Sequence, residues 1–175
     1  MKVPDQIVEL AKHVNLESIR LIKLSGEILA GGNVRFDQFD IDVESGGGVS
    51  PDYPKGFACT IGVRIRLHGP DSKEATAGIQ GRWLLLYAVA DEKVRSGITD
   101  HLAAAFAGFN ATVNLWPHAR EFILNQSWRM GLPPTVLPTF RYEIFPGFVD
   151  GALNCLSLHE AAAVRESLSE GPRKR

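Results

Sequence analysis

The chain has 175 residues, 45% of them apolar and 22% charged, with a formal net charge of -1. That is room for one hydrophobic core and too little for two comfortable domains, so a single domain over 1–175 is expected. The near-neutral charge excludes the electrostatic footprint of a nucleic-acid or anionic-membrane binder, and the basic end Pro172-Arg173-Lys174-Arg175 reads as a solvated tail.

Met1 to Leu16 carries Asp5 and Glu9 and no continuous apolar core, so no signal peptide is expected there. The longest apolar run, Trp83 to Ala90, falls far short of the roughly 20 residues a membrane helix needs. Two cysteines, Cys59 and Cys155, make no spaced framework, and Cys59 occupies an apolar strand position, which suits a buried free thiol. A soluble, cytoplasmic protein without membrane insertion is the expectation.

In chain order, Ile7, Leu10, Ala11 and Val14 recur at i, i+3, i+4 and i+7, which predicts a short amphipathic helix over 5–15 that must dock on something. Residues 18–29 are rich in Ile and Leu with weak alternation and read as a strand buried partly on both faces. Over 33–44 the alternation slips phase between Val34 and Phe36 on one side and Phe39, Ile41 and Val43 on the other, and a β-bulge near Asp37-Gln38 would reconcile them. Asp40, Asp42 and Glu44 lie on one strand face about 7 Å apart, which suits a solvated face better than a metal cluster. Ser45-Gly46-Gly47-Gly48 reads as the start of a flexible loop running to Lys55.

Residues 57–67 alternate cleanly, with Phe57, Cys59, Ile61, Val63, Ile65 and Leu67 on a dry face. Gly69-Pro70-Asp71-Ser72 turns the chain, and 75–89 forms the antiparallel partner, with Trp83, Leu84, Leu85, Leu86 and Tyr87 supplying both sheet faces. Helices then begin. Thr99 or Ser96 caps a short Ala-rich helix from 100 to about 109, and a long helix runs from about 115 to 130, with Pro117 in its first turn and Gly131 as its left-handed end. Arg120 and Glu121 fix that helix start. Residues 132–150 form an extended, proline-stiffened stretch carrying Phe140, Tyr142, Phe145 and Phe148. Ser157-Leu158-His159-Glu160 is a capping box, backed by a Leu156–Ala161 staple, for a last helix over about 158–169 that stops at Gly171-Pro172. Strands first and helices after predict an α+β fold: a four-stranded antiparallel sheet covered on one face, with a short N-terminal helix.

No catalytic constellation emerges. The five histidines lack zinc spacing, there is no Cys-x-x-Cys, and neither a nucleophile elbow nor a dinucleotide fingerprint is present. His118 and Glu121 share a helix face but read as an ordinary polar surface. A non-enzyme needing no metal or cofactor is expected. What stands out is apolar surplus: Val136, Leu137, Phe140, Ile144 and Phe145 on the proline-stiffened connection, with Trp83 and Leu85 on the sheet, suit an exposed groove for partner chains. Truncating Phe140 and Phe145 would then weaken client binding with little loss of stability.

One stretch carries a resemblance. Gly97-Ile98, Gly108 and Leu115-Trp116-Pro117-His118-Ala119-Arg120-Glu121, followed by Gly131 and Pro133-Pro134, resemble the SecB family of export chaperones over roughly a quarter of the chain. The resemblance implies a four-stranded antiparallel sheet backed by two helices, and ATP-independent holding of unfolded polypeptides in apolar grooves lined partly by the helix-connecting loop. It also implies a homotetramer, a dimer of dimers, with the long helix at the interfaces and Trp116, Phe122, Ile123, Gln126 and Met130 as its contact residues. Exporting members hand preproteins to the SecA motor through acidic sheet positions. The nearest positions here, Ser25 to Ala30 and Gln80, hold only Glu27 as an acid, His118 replaces a tyrosine, and the acidic tail is replaced by Arg173-Lys174-Arg175. A SecB-like chaperone dedicated to an antitoxin or another specific client fits the same residues. Outside that family, a hotdog thioesterase would want its central helix between the first strands, and a purely structural assembly protein would bind no unfolded chain.

Overall fold

A computed structural model describes residues 3–29, 36, 38–70 and 74–169. Its frame is a four-stranded sheet of β1 (Val14–Ile28), β2 (Gln38–Val49), β3 (Gly56–His68) and β4 (Ala75–Val89), in the order β1-β4-β3-β2 with every neighbouring pair antiparallel. Six alternate residues of β3, from Phe57 to Leu67, are fully or almost fully buried, and β4 buries every second residue from Ala77 to Val89. The alternation therefore marks one packed face and one wet face, as expected for an antiparallel sheet covered on a single side.

The helices supply that cover. α1 (Asp5–His13) buries Ile7 and Leu10, with Asp5 in its first turn and Lys12 and His13 in its last, the charge order that the helix dipole favours. α2 (Glu92–Ser96) is a single turn that the sequence reading passed over; Asp91 caps it by accepting from the Lys93 and Val94 amides. α3 (Asp100–Phe106) starts on Thr99, whose hydroxyl accepts from the Leu102 amide. Phe57 stacks on Tyr87 at 5.4 Å and meets Phe106 of α3 edge-on at 5.2 Å, so the first aromatic layer joins β3, β4 and α3.

Four expectations need correction. The long helix does not begin at Pro117: α3, a π-helical turn over Ala107–Ala111 and α4 (Thr112–Arg129) continue one another, with Pro117 inside α4, so Arg120 and Glu121 do not fix a helix start. Second, the glycine run is strand: Gly46, Gly47 and Gly48 pair with Thr60, Cys59 and Ala58. The reason is non-local, because α3 crosses β2 so closely that a Cβ on Gly47 would overlap the Ala103 carbonyl. Third, β1 is not buried on both faces but is an edge strand, largely exposed. Last, the C-terminal helix α5 begins at Pro146 and runs to Ser169, which puts Ser157 in its interior, with Oγ donating to the Leu153 carbonyl at 3.2 Å instead of capping. Gln38 opens β2, but Asp37, on which the expected bulge falls, and the Gly171-Pro172 stop lie outside the described residues.

The end of α4 is as read. Gly131 has φ +69°, its amide donates to Trp128 and the Leu132 amide to Ser127, which is a Schellman closure with Leu132 buried beyond it.

Candidate client-binding surface

Two apolar regions compete for the role of a binding surface. The first is the strap over residues 131–145 that joins α4 to α5. Its prolines keep residues 132–141 extended, so alternate residues there turn toward and away from the protein, before a single 3-10 turn over Tyr142–Ile144. Leu137 is 0% exposed and Phe145 is 8%, whereas Val136 and Ile144 point out at 50% and 47%. Phe140 lies between, stacked on Phe145 at 5.5 Å and tilted against Trp116 at 5.0 Å. Two polar ties hold the strap down. The Trp116 indole N–H donates to the Pro138 carbonyl at 2.7 Å, and the Tyr142 hydroxyl donates to the Phe109 carbonyl at 2.6 Å, on the π-helical turn. Burial pushes the Tyr142 phenol above its ordinary range, which keeps it a donor.

Of the seven residues expected to line a client groove, five lie on this strap, and of the seven only Val136 and Ile144 are exposed. Trp83 and Leu85 belong to the packed sheet face, with Trp83 edge-on to Phe122 at 5.1 Å. Leu137 and Phe145 are core, and the expectation that truncating Phe145 spares stability does not survive its burial. Among the expected interface residues, Trp116 and Ile123 are buried inside the protomer, while Phe122, Gln126 and Met130 are half-buried.

The second region was missed. Leu21, Leu24 and Ile28 pair with Trp83, Gly81 and Ala77, so they stand on the helix side of the sheet, yet the described residues leave them about half uncovered; Leu24 is 49% exposed. α4 stops just short of them: a Cβ on Gly26 would meet the Met130 sulfur at 2.7 Å. α4 also carries an outward stripe, Val113, Pro117, Leu124 and Trp128, at helical spacing, and Trp128 is 70% exposed. The spacing of Val113, Leu124 and Trp128 in the sequence held that signal, on the arc opposite the stripe chosen for the core.

Other candidate chemistry disperses. His118 and Glu121 are both exposed on α4, and among the described residues no three His, Cys, Asp or Glu side chains gather into a metal-binding group. Asp40, Asp42 and Glu44 instead pair across strands with His68 at 3.0 Å, Arg66 at 2.9 Å and Arg82 at 2.6 Å. Cys59 is a buried free thiol whose pKa burial raises, and Cys155 is half-buried and also free. Among the described residues no helix is long and apolar enough to cross a membrane.

This arrangement, a four-stranded antiparallel sheet with a long helix and a C-terminal helix on one side, is the SecB-like fold. A solved SecB-like chaperone of Mycobacterium tuberculosis, in complex with a ChAD peptide from the HigA1 antitoxin, is similar to this chain with a TM-score of 0.66 and 18% identity, over 79% of this chain and 98% of that one. A protein of unknown function from Streptococcus agalactiae shares 9% identity at a TM-score of 0.35, over 71% of this chain and 96% of its own, too distant to carry an argument. No family model matches the sequence. No curated protein matches it significantly. The better-matching neighbour is a chaperone, not an enzyme.

Proposed function

We propose that this protein is an ATP-independent holding chaperone that binds an extended, unfolded segment of a dedicated client such as an antitoxin. The observation that carries the reading is apolar surface in excess of what one protomer needs: the uncovered flank of β1, the outer stripe of α4, and Val136 and Ile144 on the strap. These surfaces divide by shape. β1 is a long edge strand and α4 a helix with an outward apolar stripe, both suited to a second copy of the same chain, so the assembly is a homotetramer formed as a dimer of dimers. The strap is extended and irregular, with Phe140 half-exposed between two outward aliphatic residues, and it suits a client segment lying along it. A peptide-bound chaperone of the same fold supports this reading.

Preprotein holding for export by the SecA motor is less well supported. Of the residues at the far end of β1, Glu27 is the only carboxylate, and Gln80 beside it accepts from Arg64.

Aggregation suppression tests the proposal: a urea-unfolded preprotein and an unfolded antitoxin are each diluted into buffer with and without the protein, without ATP. The expected result is suppression of the antitoxin near one client per tetramer, lost in the double variant Val136→Asp/Ile144→Asp while its thermal stability is retained. Absence of suppression for both clients at several-fold excess overturns the chaperone reading; suppression of the preprotein alone overturns the dedicated client.

A further inference from the structure

The wet face of the sheet carries a second surface, independent of the holding activity. Strand register places five basic side chains on it: Arg20 and Lys23 on β1, Arg82 on β4, and Arg64 and Arg66 on β3. No described helix covers them, since every helix packs on the other face. The charges are sorted across the strands. β2, at the far edge, carries Asp40, Asp42 and Glu44, and these are satisfied within the sheet by His68, Arg66 and Arg82. Among the described residues Arg64 bonds to the neutral Gln80 amide at 3.0 Å, its cross-strand neighbour Asp42 being engaged by Arg66, and Arg20 and Lys23 have no carboxylate partner. Arg20 stands directly across from Leu84, which with Leu86 is half-exposed on the same face. The one carboxylate on this part of β1, Glu27, lies at the far end, across from Gly78.

We infer that Arg20, Lys23 and Arg64, none of them paired with a carboxylate among the described residues, form with Leu84 and Leu86 at the Arg20 end a docking surface for an acidic polypeptide segment. Charge complementarity selects the partner. Two cations on β1 and a third on β3, across the intervening β4, match carboxylates of a segment laid over the strands, and the two leucines match apolar side chains at its Arg20 end. Nucleic acid fits poorly, because the cations are few and are bounded by Glu27 at one end and by leucines at the other, whereas phosphate binding needs a longer continuous cationic track. A basic docking segment is repelled at the same positions.

The test uses the full chain and a labelled peptide of glutamate, leucine and serine, with a twin carrying lysine for glutamate and an oligodeoxythymidine of equal net charge, read by fluorescence anisotropy at low and high salt. The glutamate peptide is expected to bind at low salt, to weaken as salt rises, and to outcompete both controls. The triple variant Arg20→Glu/Lys23→Glu/Arg64→Glu is expected to weaken it about ten-fold or more, and Lys23→Glu alone by a smaller factor, with the circular dichroism spectrum and client holding unchanged. Equal binding of the glutamate peptide by wild type and a folded triple variant overturns the proposal, as does failure of that peptide to bind at low salt or tighter binding of the lysine peptide or the oligonucleotide. Should the triple variant not fold, the single variant decides the matter by the same criterion. A wild-type chain that holds no client yet binds the glutamate peptide would sink the function proposed above and leave this surface standing.

Discussion

The strap and β1 are both rich in apolar side chains, and the fold treats them oppositely. On the strap, Phe145 is driven into an aromatic cluster with Trp116 and Phe140, and Leu137 is fully buried. On β1, Leu21, Leu24 and Ile28 remain in solvent although they point to the packed side of the sheet. The difference is one of position. The strap crosses helices that already present aromatic partners, whereas β1 is the outermost strand and α4 ends its cover at Met130, above Gly26. Apolar composition thus says that a segment wants cover; what lies beside it decides whether the same chain can give that cover.

The largest effect that separates the two regions is on stability. Phe145→Ala is expected to lower the unfolding free energy by about 3–5 kcal/mol, since it empties a ring site packed by Phe140 and Trp116, whereas Leu24→Ala in dilute monomer is expected to change it by under about 0.5 kcal/mol. Urea denaturation of both variants measures this, and similar losses would break the contrast. Next in size, Trp116→Phe keeps the ring packing and removes the bond to the Pro138 carbonyl, a loss of about 1–3 kcal/mol by the same method. Assembly then sharpens the comparison: Leu21→Asp/Leu24→Asp is expected to reduce the molar mass found by light scattering to that of a smaller oligomer, while Val136→Asp/Ile144→Asp leaves it unchanged.

The smallest effect is a pH dependence at the start of β1. The Tyr53 hydroxyl donates to Glu17 at 2.8 Å, and burial, helped by that bond and the Glu17 charge, pushes the phenol up to about 12 from an ordinary 10.0. Folded Tyr53 holds its proton more tightly than unfolded Tyr53. Its contribution is therefore complete below pH 10 and lost as the pH rises toward 12. Spectrophotometric titration of phenolate should show one late-ionising tyrosine fewer in Tyr53→Phe, with a flatter decline of stability over that range.

Much of the frame was legible in the letters because its causes are local. The alternation of β3 and β4, the Thr99 cap and the Gly131 closure each depend on a residue and its near neighbours. Ser157-Leu158-His159-Glu160 misled for the complementary reason: a capping box is a signal only where a helix begins, and α5 was already under way from Pro146. Pro117 misled likewise, since α4 runs through it. For the candidate site, apolar surplus on the strap was visible, but only the fold sorts Val136 and Ile144 outward from Leu137 and Phe145 inward.

What the sequence determined by itself is the order of strands before helices, the packed face of the inner strands and the helix stop at Gly131, because each rests on periodicity or on one residue's backbone chemistry. Tertiary structure alone decided that Gly46-Gly47-Gly48 is strand beneath α3, that β1 is an open edge, that Trp128 faces solvent and that the basic side chains of three strands share one wet face. These depend on which distant segment lies opposite, and on close packing that leaves no room for a side chain at Gly47.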